Sequence, residues 1–282
     1  MVDASELRAR GKRAEAEDGV NLDLHGKTAL VSGSTAGIGF AIAAGLAAQG
    51  ARTIVNGRSE KRVTSAVERL RAEHGAAVEG FAADLATAAG VDAIVERFAQ
   101  VDILVNNLGI FAPQAFEDID DATWLRFFET NVLSGVRLSR AYLPAMRERN
   151  WGRVVFISSE SGLQIPVEMI HYGVTKTAQI ALARGLAESV AGTSITVNSV
   201  LPGPTRSEGV GDFVASLAKR QGKSESEMER EFFASARPTS LIQRFASVEE
   251  VANMVVFVCS PAASATTGAA LRVDGGVVRA IP

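Results

Sequence analysis

The stretch TALVSGSTAGIGFAIAAGLAAQG, Thr28–Gly50, decides the fold. It opens with a short β-type run, Thr28–Ser32, turns through Gly33, Gly37 and Gly39, and continues as an alanine-rich apolar segment. This reads as strand, glycine turn, helix, with Gly50 as the stop. Small residues in such a turn let the backbone approach a pyrophosphate, which then sits on the free N–H groups and positive dipole end of the helix. The spacing is GxxxGxG, so the commoner GxGxxG fingerprint does not strictly apply. Any tight βα turn favours glycine, so the turn gains its weight from what surrounds it.

Outward from it the unit repeats. Thr53–Asn56 is a second strand, followed by a helix from Ser59 to about His74; Ala77–Ala83 is a third, followed by a helix near Ala88–Phe98. Asp102–Asn107 leads into a long helix over roughly Ala122–Asn150, and Arg153–Ser158 leads into a helix carrying Tyr172. Ser194–Val200 and Ala270–Val273 complete seven strands. Several are continuous Val/Ile runs, as expected of a parallel sheet buried on both faces. Right-handed crossovers then give an α/β, doubly wound, Rossmann-like fold with its crevice at the carboxyl ends of the strands. The expected organisation is a polar arm over residues 1–21 and a single domain over 22–282, with a helical lid at about 205–237.

Composition narrows the function. Hydrophobic residues make up 47% of the 282, aromatic ones only 6%, which suits a core of Ala, Val, Ile and Leu. A net charge of −3 advertises no nucleic-acid or anionic-membrane surface. One cysteine, Cys259, within MVVFVCS, excludes an intramolecular disulfide and reads as a core residue. His25, His74 and His171 lie too far apart in sequence to suggest a metal site, so no metal is expected. With neither a signal peptide nor a membrane span in view, the expectation is a cytoplasmic protein.

The end of the second strand addresses the cofactor. An acid there would bind a ribose 2′-hydroxyl; the residues are Val55-Asn56-Gly57-Arg58, with an arginine suited to a 2′-phosphate. NADP(H) is expected, with NAD(H) the alternative. The chemistry is expected in SSESGLQIPVEMIHYGVTK, Ser158–Lys176. On one helix, Tyr172 and Lys176 share a face. A free phenol titrates near 10, and an adjacent ammonium favours its phenolate and brings it into range for acid–base work. Ser159, at a strand end, is placed to hold a substrate oxygen beside it.

Together these residues resemble the short-chain dehydrogenase/reductase family from about Leu24 to Gly276. SGSTAGIG (Gly33, Ser34, Thr35, Gly37, Ile38, Gly39) matches its TGxxxGxG turn, with Ser32 in the threonine's place. Asn106-Asn107-Leu108-Gly109 matches NNAG with leucine for alanine, Pro202-Gly203 matches the PG motif, and Asp274-Gly275-Gly276 the C-terminal DGG. The resemblance implies hydride transfer between a nicotinamide and a carbonyl or alcohol carbon, with Asn131, Ser159, Tyr172 and Lys176 as the catalytic set. Tyr172 would move the proton, Lys176 would lower its pKa and bond the nicotinamide ribose, Ser159 would polarise the carbonyl, and Asn131, in a locally distorted helix, would hold a water linking Lys176 to solvent. Asp84 and Leu85 would meet the adenine, and Thr205 and Ser207 the carboxamide. It also implies a dimer or tetramer.

Around the substrate, Ile110, Phe111, Leu163, Gln164, Ile165 and Pro166 are expected to form an apolar mouth for a small carbonyl compound. Phe213, Val214 and Leu217, then Met228, Phe232 and Phe233, make two amphipathic stripes of a lid. His171 is expected to face away from the site, at a surface or interface, and Tyr142 to be a packing residue. A 3-oxoacyl-thioester reductase and a non-catalytic cofactor-binding protein are the alternatives.

Overall fold

In the computed structural model, which describes residues 19–281 except Ala76, Gly209, residues 212–217, Lys219 and Gln221, the opening unit forms as read. β1 is Thr28–Val31 and α1 Gly37–Ala48; β2 (Arg52–Gly57), α2 (Glu60–His74), β3 (Val78–Ala82), α3 (Ala88–Arg97) and β4 (Ile103–Asn106) follow. The expected long helix is broken: α4 (Asp121–Phe128) passes through a π-helical turn, Glu129–Leu133, into α5 (Ser134–Glu148). β5 (Gly152–Ile157), α6 (Ile170–Ser189) and β6 (Ile195–Pro202) come next. A parallel pair, β7 (Thr205–Arg206) with β8 (Ala246–Ser247), brackets α7 (Glu225–Ser235). α8 (Val248–Cys259) and β9 (Ala270–Val273) finish the chain. α8 has no counterpart among the expected elements. The first lid stripe and most of the polar arm lie outside the described residues.

The seven strands run parallel in the order β3-β2-β1-β4-β5-β6-β9. The order reverses between β1 and β4, and the crevice opens there. Strand alternation feeds two cores. Ala29, Val31, Val55, Val105 and Val155 point toward α1, α2 and α8, while Leu30, Ile54, Leu104, Val154 and Phe156 point toward α3, α5 and α6. Cys259 is fully buried in the first core, where burial pushes its thiol up to about 12. Tyr142 is buried in the second.

The glycine turn is fixed by what it touches. Asn107 Nδ2 donates to the Ser32 and Gly33 carbonyls (3.0 and 2.9 Å), and a Cβ on Gly39 would fall 2.5 Å from both Asn107 Nδ2 and the Gly33 oxygen. No side chain fits at Gly39 without opening the turn. Among the described residues, no helix is long and apolar enough to cross a membrane.

Candidate active site

The crevice has a cofactor side and a chemical side. On the first, a cavity of about 520 Å³ is lined by Gly33, Thr35, Asn56, Gly57, Arg58, Asp84 and Leu85, all near the ends of β1, β2 and β3. Leu108, in place of the expected alanine, joins that wall. Arg62, in the first turn of α2, lines it as well, so two arginines border this space. Arg62 was not among the expected site residues, although its spacing from Arg58 across the cap of α2 was a readable signal. Two cations and a hydroxyl, Ser59, at the far end of a glycine-lined cavity fit the 2′-phosphate end of NADP(H).

Some expected contacts are spent inside the protein. Ser34 is fully buried, with Oγ donating to the Val31 carbonyl (2.7 Å) and accepting from the Asn56 N–H (3.0 Å), so it ties the turn to β2. Asn106 is buried against α5, with Nδ2 at 3.4 Å from Ser139 Oγ. Asp84 Oδ1 accepts from the Ala86 N–H (3.1 Å), which orders the loop at the cavity rim. Gly203, after Pro202 at the end of β6, sits where a Cβ would meet Asp274 Cα at 2.7 Å, and Thr205 Oγ1 donates to the Gly203 carbonyl (2.9 Å). Gly37 adopts φ +58°, Ile38 follows it into α1, and Ser207 Cβ lies 3.3 Å from a Cβ on Gly37.

The chemical side brings Asn131, Ser159, Tyr172 and Lys176 together. Tyr172 and Lys176 share a face of α6, with Nζ 5.5 Å from the phenol ring centre. Lys176 is buried; Nζ donates to the Ile157 carbonyl (2.9 Å) and to Gln179 Oε1 (3.1 Å). Gly109 backs onto this ammonium, a Cβ there falling 3.4 Å from Nζ and 3.6 Å from Asn131 Oδ1. Asn131 sits in the π turn; its Oδ1 accepts from the Ile110 N–H (2.8 Å), and its Nδ2 donates to the Ile110 carbonyl and Thr175 Oγ1 (3.0 Å each). The distorted helix is as expected, and the Asn131 carbonyl it exposes accepts from Gln179 Nε2 at 2.6 Å.

Electrostatics also departs from expectation. Burial, the largest cause, raises the Tyr172 phenol well above its ordinary range; the Ser159 hydrogen bond and Arg237 oppose this, and Glu160 adds to it. Burial likewise pulls Lys176 down to about 7, against the opposing charge of Glu160. In this apolar recess desolvation outweighs the mutual assistance that the i,i+4 spacing suggests.

Glu160 and Arg237 are further groups the sequence did not disclose. Ser159 Oγ accepts from the Ser161 N–H (3.1 Å) and donates to Glu160 Oε2 (2.5 Å). Glu160 Oε1 accepts from Arg237 Nε at 3.1 Å, with the two side chains only 6% and 13% exposed. Arg237 also reaches Glu168 at 3.3 Å. Arg237 follows α7, whose Met228, Phe232 and Phe233 pack on Phe245. The second expected stripe is therefore real, and the segment behind it is pinned to the loop bearing Ser159.

The expected mouth is partly apolar and open. Phe111, Leu163 and Ile165 are exposed, and the Phe111 ring meets Tyr172 edge-on with centres 6.2 Å apart. Ile165 packs over Gly173, where a Cβ would lie 2.6 Å from Ile165 Cγ2, so only glycine beside Tyr172 admits this loop. His171 faces away from Tyr172 but is not at the surface: it is fully buried, its ring 4.1 Å from Phe127 and 6.0 Å from Trp124 between centres.

Residues 33–278 match a protein-family model described as enoyl-(acyl carrier protein) reductase. The uncharacterized oxidoreductase YvaG of Bacillus subtilis is 49% identical over 263 residues, 93% of this chain and 100% of that protein. The 3-oxoacyl-(acyl-carrier-protein) reductase FabG of Escherichia coli is 33% identical over 264 residues, 91% of this chain and 99% of the relative. L-sorbose reductase from Gluconobacter frateurii, solved with NADPH and L-sorbose, superposes with a TM-score of 0.88 at 34% identity, over 93% of this chain and 100% of that one.

Proposed function

Because the chain belongs to the short-chain dehydrogenase/reductase family and is therefore an oxidoreductase, we propose that it is an NADP(H)-dependent reductase of small carbonyl compounds, or the dehydrogenase of the corresponding alcohols. The observation that carries this is the meeting of Ser159, Tyr172, Lys176 and Asn131 beside a cavity that bears Arg58 and Arg62. Bound NADP(H) supplies or accepts the hydride. Tyr172 Oη gives the proton to the carbonyl oxygen; its raised pKa keeps that proton in place at neutral pH. Ser159 orients the same oxygen by turning its single hydroxyl proton from Glu160 Oε2 to the substrate, and Lys176, with one of its three ammonium donors free of partners among the described residues, serves the cofactor ribose.

The substrate reading follows from the mouth. Phe111, Leu163 and Ile165 support a neutral, moderately apolar carbonyl compound. The similarity to FabG supports a second reading, a 3-oxoacyl-thioester reductase. Against it, three of the cations near α7 are held by acids: Arg206 by Glu225 and Glu229, Lys223 by Glu231, and Arg237 by Glu160 and Glu168. The exposed small residues Ala181 and Gly185 on α6 support assembly with further copies of the chain, as a dimer or tetramer.

The test is NADPH absorbance with three substrate groups: apolar ketones and aldehydes, neutral ketoses, and acetoacetyl thioesters. Turnover of the first group by the wild type and its loss in Tyr172→Phe, with NADPH binding retained, is expected. A Tyr172→Phe rate above about a tenth of wild type overturns the assignment, since positioned acid–base groups contribute 10²–10⁴-fold.

A further inference from the structure

Gln179 lies one turn beyond Lys176 on α6, 1% exposed, between two groups of the proton-transfer site. Its Oε1 accepts from Lys176 Nζ at 3.1 Å and its Nε2 donates to the Asn131 carbonyl at 2.6 Å. Both ends fix the amide's orientation: turned over, it would set NH₂ against an ammonium and oxygen against a carbonyl. The carbonyl is within reach because the π turn has moved the Ser134 N–H onto the Glu129 oxygen, five residues back. The adjacent carbonyls of Thr130 and Asn131 are then met by side chains, Ser134 Oγ and Gln179 Nε2, each at 2.6 Å.

Resting on Tyr172 and Lys176 as the proton-transfer pair, we propose that Gln179 is a positioning residue that spans Lys176 and Asn131 and occupies the place where a bridging water would stand. A water in that position accepts a hydrogen bond, donates another and passes protons along. A primary amide reproduces the two hydrogen bonds but relays nothing. Gln179 therefore holds the ammonium in register with Tyr172, and Tyr172 exchanges its proton through the crevice mouth. The charged and titratable groups facing Lys176 are Tyr172 on the same helix and Glu160 on the loop after β5, with Arg237 on Glu160's far side.

Gln179→Met and Gln179→Ala separate this role from packing. Methionine fills the volume with only a weak thioether acceptor in place of the amide oxygen, so the ammonium loses its strong partner. Alanine opens a polar space in which water can bridge Nζ and the Asn131 carbonyl. With a charged hydrogen bond at stake, kcat is expected to fall about 10- to 100-fold in Gln179→Met and to recover substantially in Gln179→Ala, while NADPH binding changes little. The Lys176 ¹³Cε titration followed by NMR is expected to move to lower pH in Gln179→Met and back in Gln179→Ala. That reading needs no turnover, so it decides the role of Gln179 even if no substrate in the panel reacts. A purely structural glutamine gives the opposite order, with methionine better tolerated than alanine and the Lys176 titration unmoved. Either result overturns the proposal.

Discussion

Replacing Arg237 with leucine tests the contact between the chemical site and the segment that covers it. The change leaves Glu160, 6% exposed, without the guanidinium that bonds its Oε1 at 3.1 Å. Removing one member of a buried pair costs about 3–5 kcal/mol, because the remaining charge stays desolvated and unpaired. A chain of 282 residues unfolds with an entropy of roughly 0.6 kcal/mol per kelvin at the usual per-residue value, so the midpoint should fall by about 5–8 °C. The double variant Glu160→Leu/Arg237→Leu removes both charges and should recover most of that loss. Thermal unfolding followed by circular dichroism reads both. Activity carries a second signature. Arg237 lowers the Tyr172 pKa and Glu160 raises it, so Arg237→Leu leaves the phenol harder to ionise. The rate of alcohol oxidation at one fixed alkaline pH should then fall, and return when Glu160 is also removed. A midpoint within about 1 °C of wild type, or a double variant no more stable than the single one, refutes the reasoning.

Arg58→Ala and Arg62→Ala should each weaken kcat/KM for NADPH by about tenfold or more and leave that for NADH near its wild-type value, a charged hydrogen bond being worth about 1.5–3 kcal/mol; equal losses with both cofactors would remove the 2′-phosphate assignment. Burial, and then Arg126, lower the pKa of His171, so its neutral form is favoured in the folded protein and its contribution is present above the unfolded value near 6.5. That contribution drains as pH falls from there through the folded pKa, at up to about 1.4 kcal/mol per pH unit. His171→Phe should flatten the loss of stability between pH 6.5 and 5 in urea titrations, and an unchanged slope would show that His171 does not set it.

The strand series was readable because each buried run carries its own punctuation, as Gly26 before and the glycine turn after Thr28–Val31. Ser159, Tyr172 and Lys176 were readable because strand end and helix spacing bring them together. Other parts had weaker signals. The run ending in Cys259 reads equally as strand or helix at its length; the capping box of Ser247 and Glu250 was the cue that makes it α8. His171 was correctly rotated away from the site, yet α4 packs there with Trp124 and Phe127, and nothing local to residue 171 announces that. Gln179 stands at helical spacing from Lys176 and was available in principle, but an alanine-rich helix face reads as packing surface. Glu160 and Arg237 are 77 residues apart, and no local pattern joins such a pair.

The π turn at Glu129–Leu133 sets what protein engineering can gain from this chain. Such turns are rare, and regular α-helix is the better-bonded state for most sequences. Substitutions or a one-residue deletion that regularised this turn would offer a more heat-resistant scaffold. They would also withdraw the Asn131 carbonyl from Gln179 and turn the Asn131 side chain away from Ile110 and Thr175. With Asn131 and Gln179 in the roles proposed above, thermostability and turnover would select in opposite directions at these five residues, and a library screened for heat resistance alone should accumulate inactive variants there while remaining freely improvable on the outer faces of α2 and α3.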